Sequence, residues 1–253
     1  MLAIAEGFGE SPVSALMAPD VDPDAVLAHP PDSTAVPPRV ARRLRQPDLA
    51  SQARALTQRA HDLGMSILTP LHRAWPARLS HQPMPPLVLF VRGDPAALSS
   101  EPACAVVGSR TPTPYGVDAA TNLCGTLARI GTTLWSGLAR GIDSIAHRSC
   151  VATGTPTVAV LAGALDQVYP PEHTSLAERI LATSGCLISE LPPGRSPRRG
   201  HFVRRNRLLG SGPPAVVVVE GSIASGALHT ARFAADCSTE VFAVPGPWPS
   251  ERS

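Results

Sequence analysis

From Ala103 onward the chain alternates short apolar runs with stretches long enough for a helix, and that alternation restricts the fold more than any other feature. Strand-length runs lie at 103–107, 132–135, 157–161, 186–189, 215–219 and 240–244. Helix-length segments fall between them at 116–130, 143–152, 174–184 and 225–236. Such an order builds βαβ units, so the expected fold class is α/β, a doubly wound and mostly parallel sheet. In sheets of this kind ligands bind at the carboxyl ends of the strands. The unusual residues of this chain all fall just after a strand.

The 253 residues suffice for one good-sized domain and a smaller appendage, since domains run to roughly 100–200 residues. We expect a partial helical region with linker at 1–63, partly disordered, with one helix at 51–63. Two short strands are expected near 66–68 and 87–91. The main core is expected over 64–246, with a short tail at 247–253 and no winged-helix domain. Much of the proline falls before Val88, which marks loop and linker there. A net charge of +2 implies no nucleic-acid partner by itself, because the distribution of charge matters more than its sum. The five cysteines form no C-x-x-C pair and read as small buried hydrophobes, not as a zinc site or a disulfide framework. No basic start with a following apolar run, and no stretch of about 18 uncharged apolar residues, points to secretion or a membrane span. A reduced, cytoplasmic setting is expected.

The first strand-end loop is Gly108-Ser109-Arg110. Its glycine permits close backbone approach, Ser109 offers a hydroxyl, and Arg110 offers a planar donor fork for phosphate. It reads either as a phosphate loop or as a plain turn with a surface arginine. The run Ser136-Gly137-Leu138-Ala139-Arg140-Gly141-Ile142-Asp143 makes a compact loop ending at a helix start, a plausible anion nest with Arg140 as charge partner. Asp143 reads as a helix cap and loop anchor. His147, one turn further, reads as its hydrogen-bond partner or as a catalytic base. Tyr169 suits either base stacking or loop anchoring. Glu190 and Glu220 end two strands and read either as holders of arginines and loops or as a general acid or base. Ser225 is placed to cap the helix that follows, and Gly226 and Thr230 let backbone or ligand come close.

Between Glu190 and Glu220 there is no acidic residue, while Arg195, Arg198, Arg199, Arg204, Arg205 and Arg207 are all present with Phe202 and Asn206 among them. The segment reads as a local electropositive platform with an aromatic side chain for stacking. The opposing reading is a solvated loop, or the start of a packed helix at Arg205-Asn206-Arg207.

Taken together, AVVGSRTPTPYG at 105–116, SGLARGIDSIAH at 136–147, AVLAGALDQVYP at 159–170, ISE at 188–190, FVRRNRLL at 202–209, VVVEGSIASGALHTA at 217–231 and VFAVPG at 241–246 resemble the DNA-processing protein A family, also called DprA or Smf. The likeness implies an extended Rossmann-like core that binds single-stranded DNA, forms a homodimer and helps load the RecA recombinase in natural transformation, with no cofactor, metal or catalysis. It implies DNA and phosphate contacts at Gly108, Ser109 and Arg110, at Ser136, Gly137, Arg140 and Gly141, at Arg204, Arg205, Asn206 and Arg207, and at Ser225, Gly226 and Thr230. Asp143, His147, Glu190, Phe202 and Glu220 take supporting roles. Val203 stands where the family usually has proline, and Thr239 where arginine is common. The competing function is a nucleotide or nucleoside-phosphate hydrolase of the Lonely Guy type using Glu190 or Glu220. Its P-G-G-x-G-T-x-x-E loop is missing here.

Overall fold

A valine-rich run such as Ala215–Val219 has no polar alternate position to turn toward water, so it is stable only with both of its faces covered. The computed structural model, which describes residues 42, 45–222 and 225–246, meets that demand with one eight-stranded sheet between two layers of helices. In chain order the elements are α1 (Leu49–Asp62), β1 (Met65–Leu68), α2 (Ala77–Ser80), β2 (Leu89–Gly93), β3 (Ala103–Gly108), α3 (Pro114–Arg129) and β4 (Thr133–Ser136). There follow α4 (Ile142–Thr153), β5 (Thr157–Val160), α5 (Thr174–Ala182), β6 (Cys186–Ser189), α6 (Arg199–Ser211), β7 (Ala215–Val219), α7 (Gly226–Asp236) and β8 (Glu240–Ala243).

The strand order is β1-β2-β6-β5-β4-β3-β7-β8. The six strands from β6 to β8 are parallel, while β2 runs antiparallel to both β1 and β6. The sheet is thus mixed and largely parallel, of the doubly wound Rossmann-like class. β3 leads to β4, β5 and β6 on one side, and the chain then crosses back to place β7 on the other side of β3. The direction reverses between β3 and β7, and a crevice opens at the carboxyl ends of strands at such a reversal.

All residues of β4, β5 and β6 are buried, as central strands require. One face packs against α2, α6 and α7, with Trp135, Leu208, Leu209 and Ala234 in the contact. The other packs against α1 and α5 through Ala60, Leu176 and Ile180, and against α3 and α4 through Ala120, Cys124, Ala146 and Cys150. Small residues along α3 and α4, Cys124 and Cys150 among them, let these helices approach closely, and Cys104 on β3 and Cys186 on β6 fill the sheet interior; all four are buried and unbridged. Burial pushes the thiols of Cys104 and Cys124 up to about 12, which makes them inert packing groups.

Helix starts follow local chemistry. The Thr113 hydroxyl accepts from Gly116 N at 3.1 Å, with Pro114 in the first turn, so α3 begins there. α4 ends at Gly154 in the left-handed region. The helix expected at 51–63 is α1, and it joins the core through Ala60. Most of the expected lead-in at 1–50, and the tail at 247–253, lie outside the described residues. The four-residue α2 has no counterpart in the sequence reading, and two further elements differ from it. β2 sits about two residues later than expected, because its antiparallel register with β6 pairs Phe90 with Ser189 and Gly93 with Cys186. Of the alternatives for the arginine segment the packed helix holds, as α6, and it starts earlier, at Arg199.

Candidate nucleic-acid interface

Gly108 ends β3, and the chain turns through Ser109 and Arg110 before Thr113 starts α3. The Ser109 carbonyl accepts from Ile142 N at 3.1 Å, which fixes this turn against the first residue of α4. Gly141, just before that residue, has φ +72° and no room for a side chain: a Cβ there would lie 2.8 Å from Pro112 Cδ. Glycine is therefore required by conformation and by contact at once.

Across the switch point, Glu220 follows β7. Its carboxylate accepts from Thr113 N at 3.0 Å and from Thr113 Oγ1 at 2.7 Å, so it ties the β7 end to the start of α3. Leu138 and Glu220 both hold φ +55°, a conformation that costs an L residue about 1–2 kcal/mol. Both lie at strand-end loops, where such strain tends to gather.

Between β3, β7, α6 and α7 the loops leave a crevice of about 820 Å³. Gly108, Ser109 and Arg110 line one wall, Ser225, Gly226 and Thr230 another, and Arg199, Phe202, Arg205 and Asn206 the α6 side. Arg110 is exposed, and its guanidinium carbon lies 5.4 Å from the Phe202 ring centroid. Tyr169 meets Phe202 edge-on at 5.9 Å between centroids. A small annex of about 50 Å³ continues past these side chains toward Gly163 and Pro197. Arg110, Phe202 and Tyr169 thus form a cationic and aromatic ridge with crevice on one side and annex on the other. Such a ridge can meet phosphate with the guanidinium and a base with a ring face or edge.

Ser225 occupies the N-cap position of α7 in extended backbone, yet its side chain makes no capping bond and its hydroxyl is buried without a partner. The expected cap is not formed. The positive end of α7 is left to face the crevice with no side-chain acceptor on it, a setting that favours an anion.

Below the crevice the picture is different, and several residues expected at the ligand surface are interior. Ser136 is fully buried, and its hydroxyl donates to Val106 O at 2.6 Å. Asp143 is buried in the first turn of α4, where Gly141 and not Asp143 is the N-cap. It accepts from Gly137 N at 3.1 Å and Ala139 N at 3.3 Å, so it anchors the β4 loop. Burial pushes its carboxyl up, and the Arg205 charge draws it back down. His147 does not bond Asp143. Its Nδ1 pairs with Thr157 Oγ1 at 2.8 Å, and burial, with the charges of His173 and Arg205, pushes the imidazole down to about 3. A neutral histidine sealed in the core is a packing group.

The run Arg205-Asn206-Arg207 of α6 faces inward. Arg207 is buried, and its Nη2 pairs with Glu190 Oε1 at 2.5 Å, while Arg204 reaches the same oxygen at 3.3 Å from a side chain 40% exposed. Burial lowers the Arg207 pKa and Glu190 raises it. Arg205 donates from Nη1 to Val160 O and from Nε to Asn206 Oδ1 at 3.1 Å. Burial brings the Arg205 pKa down to about 10, against the pull of the Asp143 charge. Two members of the expected electropositive platform are therefore internal, Arg205 tied to a carbonyl at the end of β5 and Arg207 to a carboxylate at the end of β6, while Arg195, Arg198 and Arg199 stay exposed and Arg204 is half-buried. Arg140 sits in the annex and pairs with Glu172 at 2.5 Å.

Arg199 is the crevice residue that the sequence reading noted but left out of the site. It is exposed in the first turn of α6. The signal was present: a cation there opposes the helix dipole, so it is not favoured by the helix itself. His229 on α7 also lines the crevice, with no sequence feature to single it out. Among the described residues no group of three or more His, Cys, Asp and Glu could hold a metal ion, and no helix is long and apolar enough to cross a membrane.

Comparison with known proteins places these features in context. The family model described as DNA recombination-mediator protein A matches residues 66–253. Protein Smf of Synechocystis is 40% identical over 181 residues, covering 70% of this chain and 45% of that protein. The DNA processing protein DprA of Bacillus subtilis is 40% identical over 162 residues, covering 64% of this chain and 54% of that protein. The chain thus spans about half the length of these curated relatives. The X-ray structure of DNA processing protein A from Streptococcus pneumoniae superposes with a TM-score of 0.69 at 30% identity, covering 82% of this chain and 74% of that one. That of Helicobacter pylori, described for its single-stranded DNA binding mode, gives 0.65 at 28% identity, covering 73% and 82%.

Proposed function

The chain belongs to the DNA recombination-mediator protein A family, and from that premise we propose that it binds single-stranded DNA along the strand-end crevice, through backbone phosphates and without catalysis. The observation that carries the proposal is the convergence on one crevice of two exposed arginines, Arg110 and Arg199, an uncapped helix start at Ser225–Gly226, and the half-buried Phe202. Phosphate oxygens would meet the arginines and the α7 start, and a base would meet Phe202 or Tyr169. Recognition of this kind tolerates sequence and depends on salt, because each phosphate neutralised releases counterions. The Helicobacter pylori relative, described as binding single-stranded DNA, supports the same ligand. RecA loading, a homodimer and a cytoplasmic setting belong to the same proposal and come from the family likeness.

The two strand-end glutamates support a non-catalytic role. Glu190 is engaged by Arg204 and Arg207, and Glu220 by Thr113. Fluorescence anisotropy of labelled oligo-dT across a salt series tests the proposal. Binding should weaken steeply with salt, and Arg110→Ala or Arg199→Ala should each reduce the slope of log K against log salt by about 0.7. Folded protein that fails to bind at low salt would sink the proposal. Release of free base from AMP, lost in Glu190→Gln or Glu220→Gln, would favour the hydrolase instead.

A further inference from the structure

Arg205 looks like a phosphate ligand by residue type, yet its surroundings are those of an internal tie. Its guanidinium packs against Gly137, where a Cβ would come within 2.5 Å of Arg205 Cζ and 2.6 Å of Nη2. One donor holds Val160 O at the end of β5, and another holds Asn206 Oδ1. Asn206 in turn donates from Nδ2 to Gly226 O at 3.0 Å, at the first residue of α7. On the β4 side, the buried Asp143 carboxyl accepts the amides of Gly137 and Ala139 and interacts electrostatically with Arg205. One side chain and its neighbour therefore join the β4 loop, the β5 end and the α7 start.

We propose that Arg205, acting with Asn206, is a positioning residue that sets the geometry of the α7 wall of the crevice and of the β4 and β5 ends that line its annex, and is not one of the cations that neutralise DNA phosphate. A guanidinium suits this role because five fixed donors can serve several acceptors at once, whereas an ammonium cannot reproduce the fork. The guanidinium is buried and its donors are engaged within the protein, so DNA binding would release no counterion on its account. The role rests on the strand-end crevice being the DNA site. If that site lay elsewhere, Arg205 would still order the loops.

Two readouts on the 253-residue chain separate the possibilities. The first is oligo-dT affinity across a salt series for Arg205→Lys and Arg205→Gln. The second is amide hydrogen exchange at Gly137 and Ala139 without DNA. Positioning predicts that both variants lose about tenfold or more in affinity with the wild-type salt slope kept, and that exchange at both amides speeds up. Full affinity in Arg205→Lys, or a slope reduced by about 0.7 in Arg205→Gln with exchange unchanged, would overturn it in favour of a phosphate contact. Should neither variant fold, Asn206→Ala takes their place. It should speed exchange in the first turn of α7 and weaken binding with the slope kept, and unchanged exchange there would overturn the proposal. If the wild-type protein does not bind oligo-dT, the DNA reading falls while the exchange experiment still decides whether Arg205 orders the loops.

Discussion

Replacing Glu190 by glutamine keeps the shape of the side chain and removes its charge, and the consequence can be worked out from its two partners. Arg207 lies 2.5 Å from Glu190 Oε1 with side chains 3% and 11% exposed, so this is a buried pair. The second terminal nitrogen of Arg207, Nη1, has no hydrogen-bond partner, which leaves Glu190 as the carboxylate that compensates its charge. Breaking a buried pair by removing one partner leaves an uncompensated charge and costs about 3–5 kcal/mol. The pair with Arg204 adds less than about 1 kcal/mol, since that arginine keeps contact with water. Glu190→Gln should therefore lower unfolding stability by about 3 kcal/mol, read by urea denaturation followed by circular dichroism. The corresponding fall in Tm is about 6–12 °C for a domain of this size. The double variant Glu190→Leu with Arg207→Met should recover most of the loss, because apolar groups of similar volume replace a buried ion pair at little cost. A loss under about 1 kcal/mol in the single variant, or a double variant no more stable than it, would refute the reasoning.

Gly137→Ala forces the guanidinium of Arg205 aside and should cost about 1–3 kcal/mol in urea unfolding; a neutral result would show that the guanidinium moves freely. Thr113→Ala removes both the α3 cap and the hydroxyl donor to Glu220, for an expected loss of about 1–2 kcal/mol; stability equal to wild type would contradict the cap. His147 titrates near 6.5 when unfolded and only at about 3 in the core, so between those values the unfolded state binds more protons and stability falls as pH drops. The stability advantage of wild type over His147→Gln should thus shrink on acidification below pH 6.5, by up to about 1.4 kcal/mol per pH unit, and a difference that does not change with pH would refute the buried neutral imidazole.

Strands β3 to β8 were legible because each is a short apolar run bounded by turn residues, and the helices α3, α4, α5 and α7 because their lengths and apolar spacing fit between them. Gly108-Ser109-Arg110 was legible for the same reason: it follows a strand in a sheet whose ligands gather at strand ends. Helix α6 was not. Its arginines carry the composition of a solvated surface, and although a packed helix and a Glu190 that holds arginines are among the readings, residue order does not say which arginines reach Glu190 and the Val160 carbonyl. Residue type alone cannot separate Arg199, which faces solvent, from Arg205 and Arg207, which face the sheet.

The alternation of apolar runs and helix-length segments, by itself, determined a doubly wound sheet and the end of it at which a ligand would sit, since burial and βαβ handedness follow from local pattern. Tertiary structure alone decided which charges are free. Desolvation makes an arginine beneath the sheet edge demand a carboxylate or carbonyl, and whether one is within reach depends on strands far away in the chain. That is why Arg205 and Arg207 became ties within the fold while Arg110 and Arg199 were left facing the crevice.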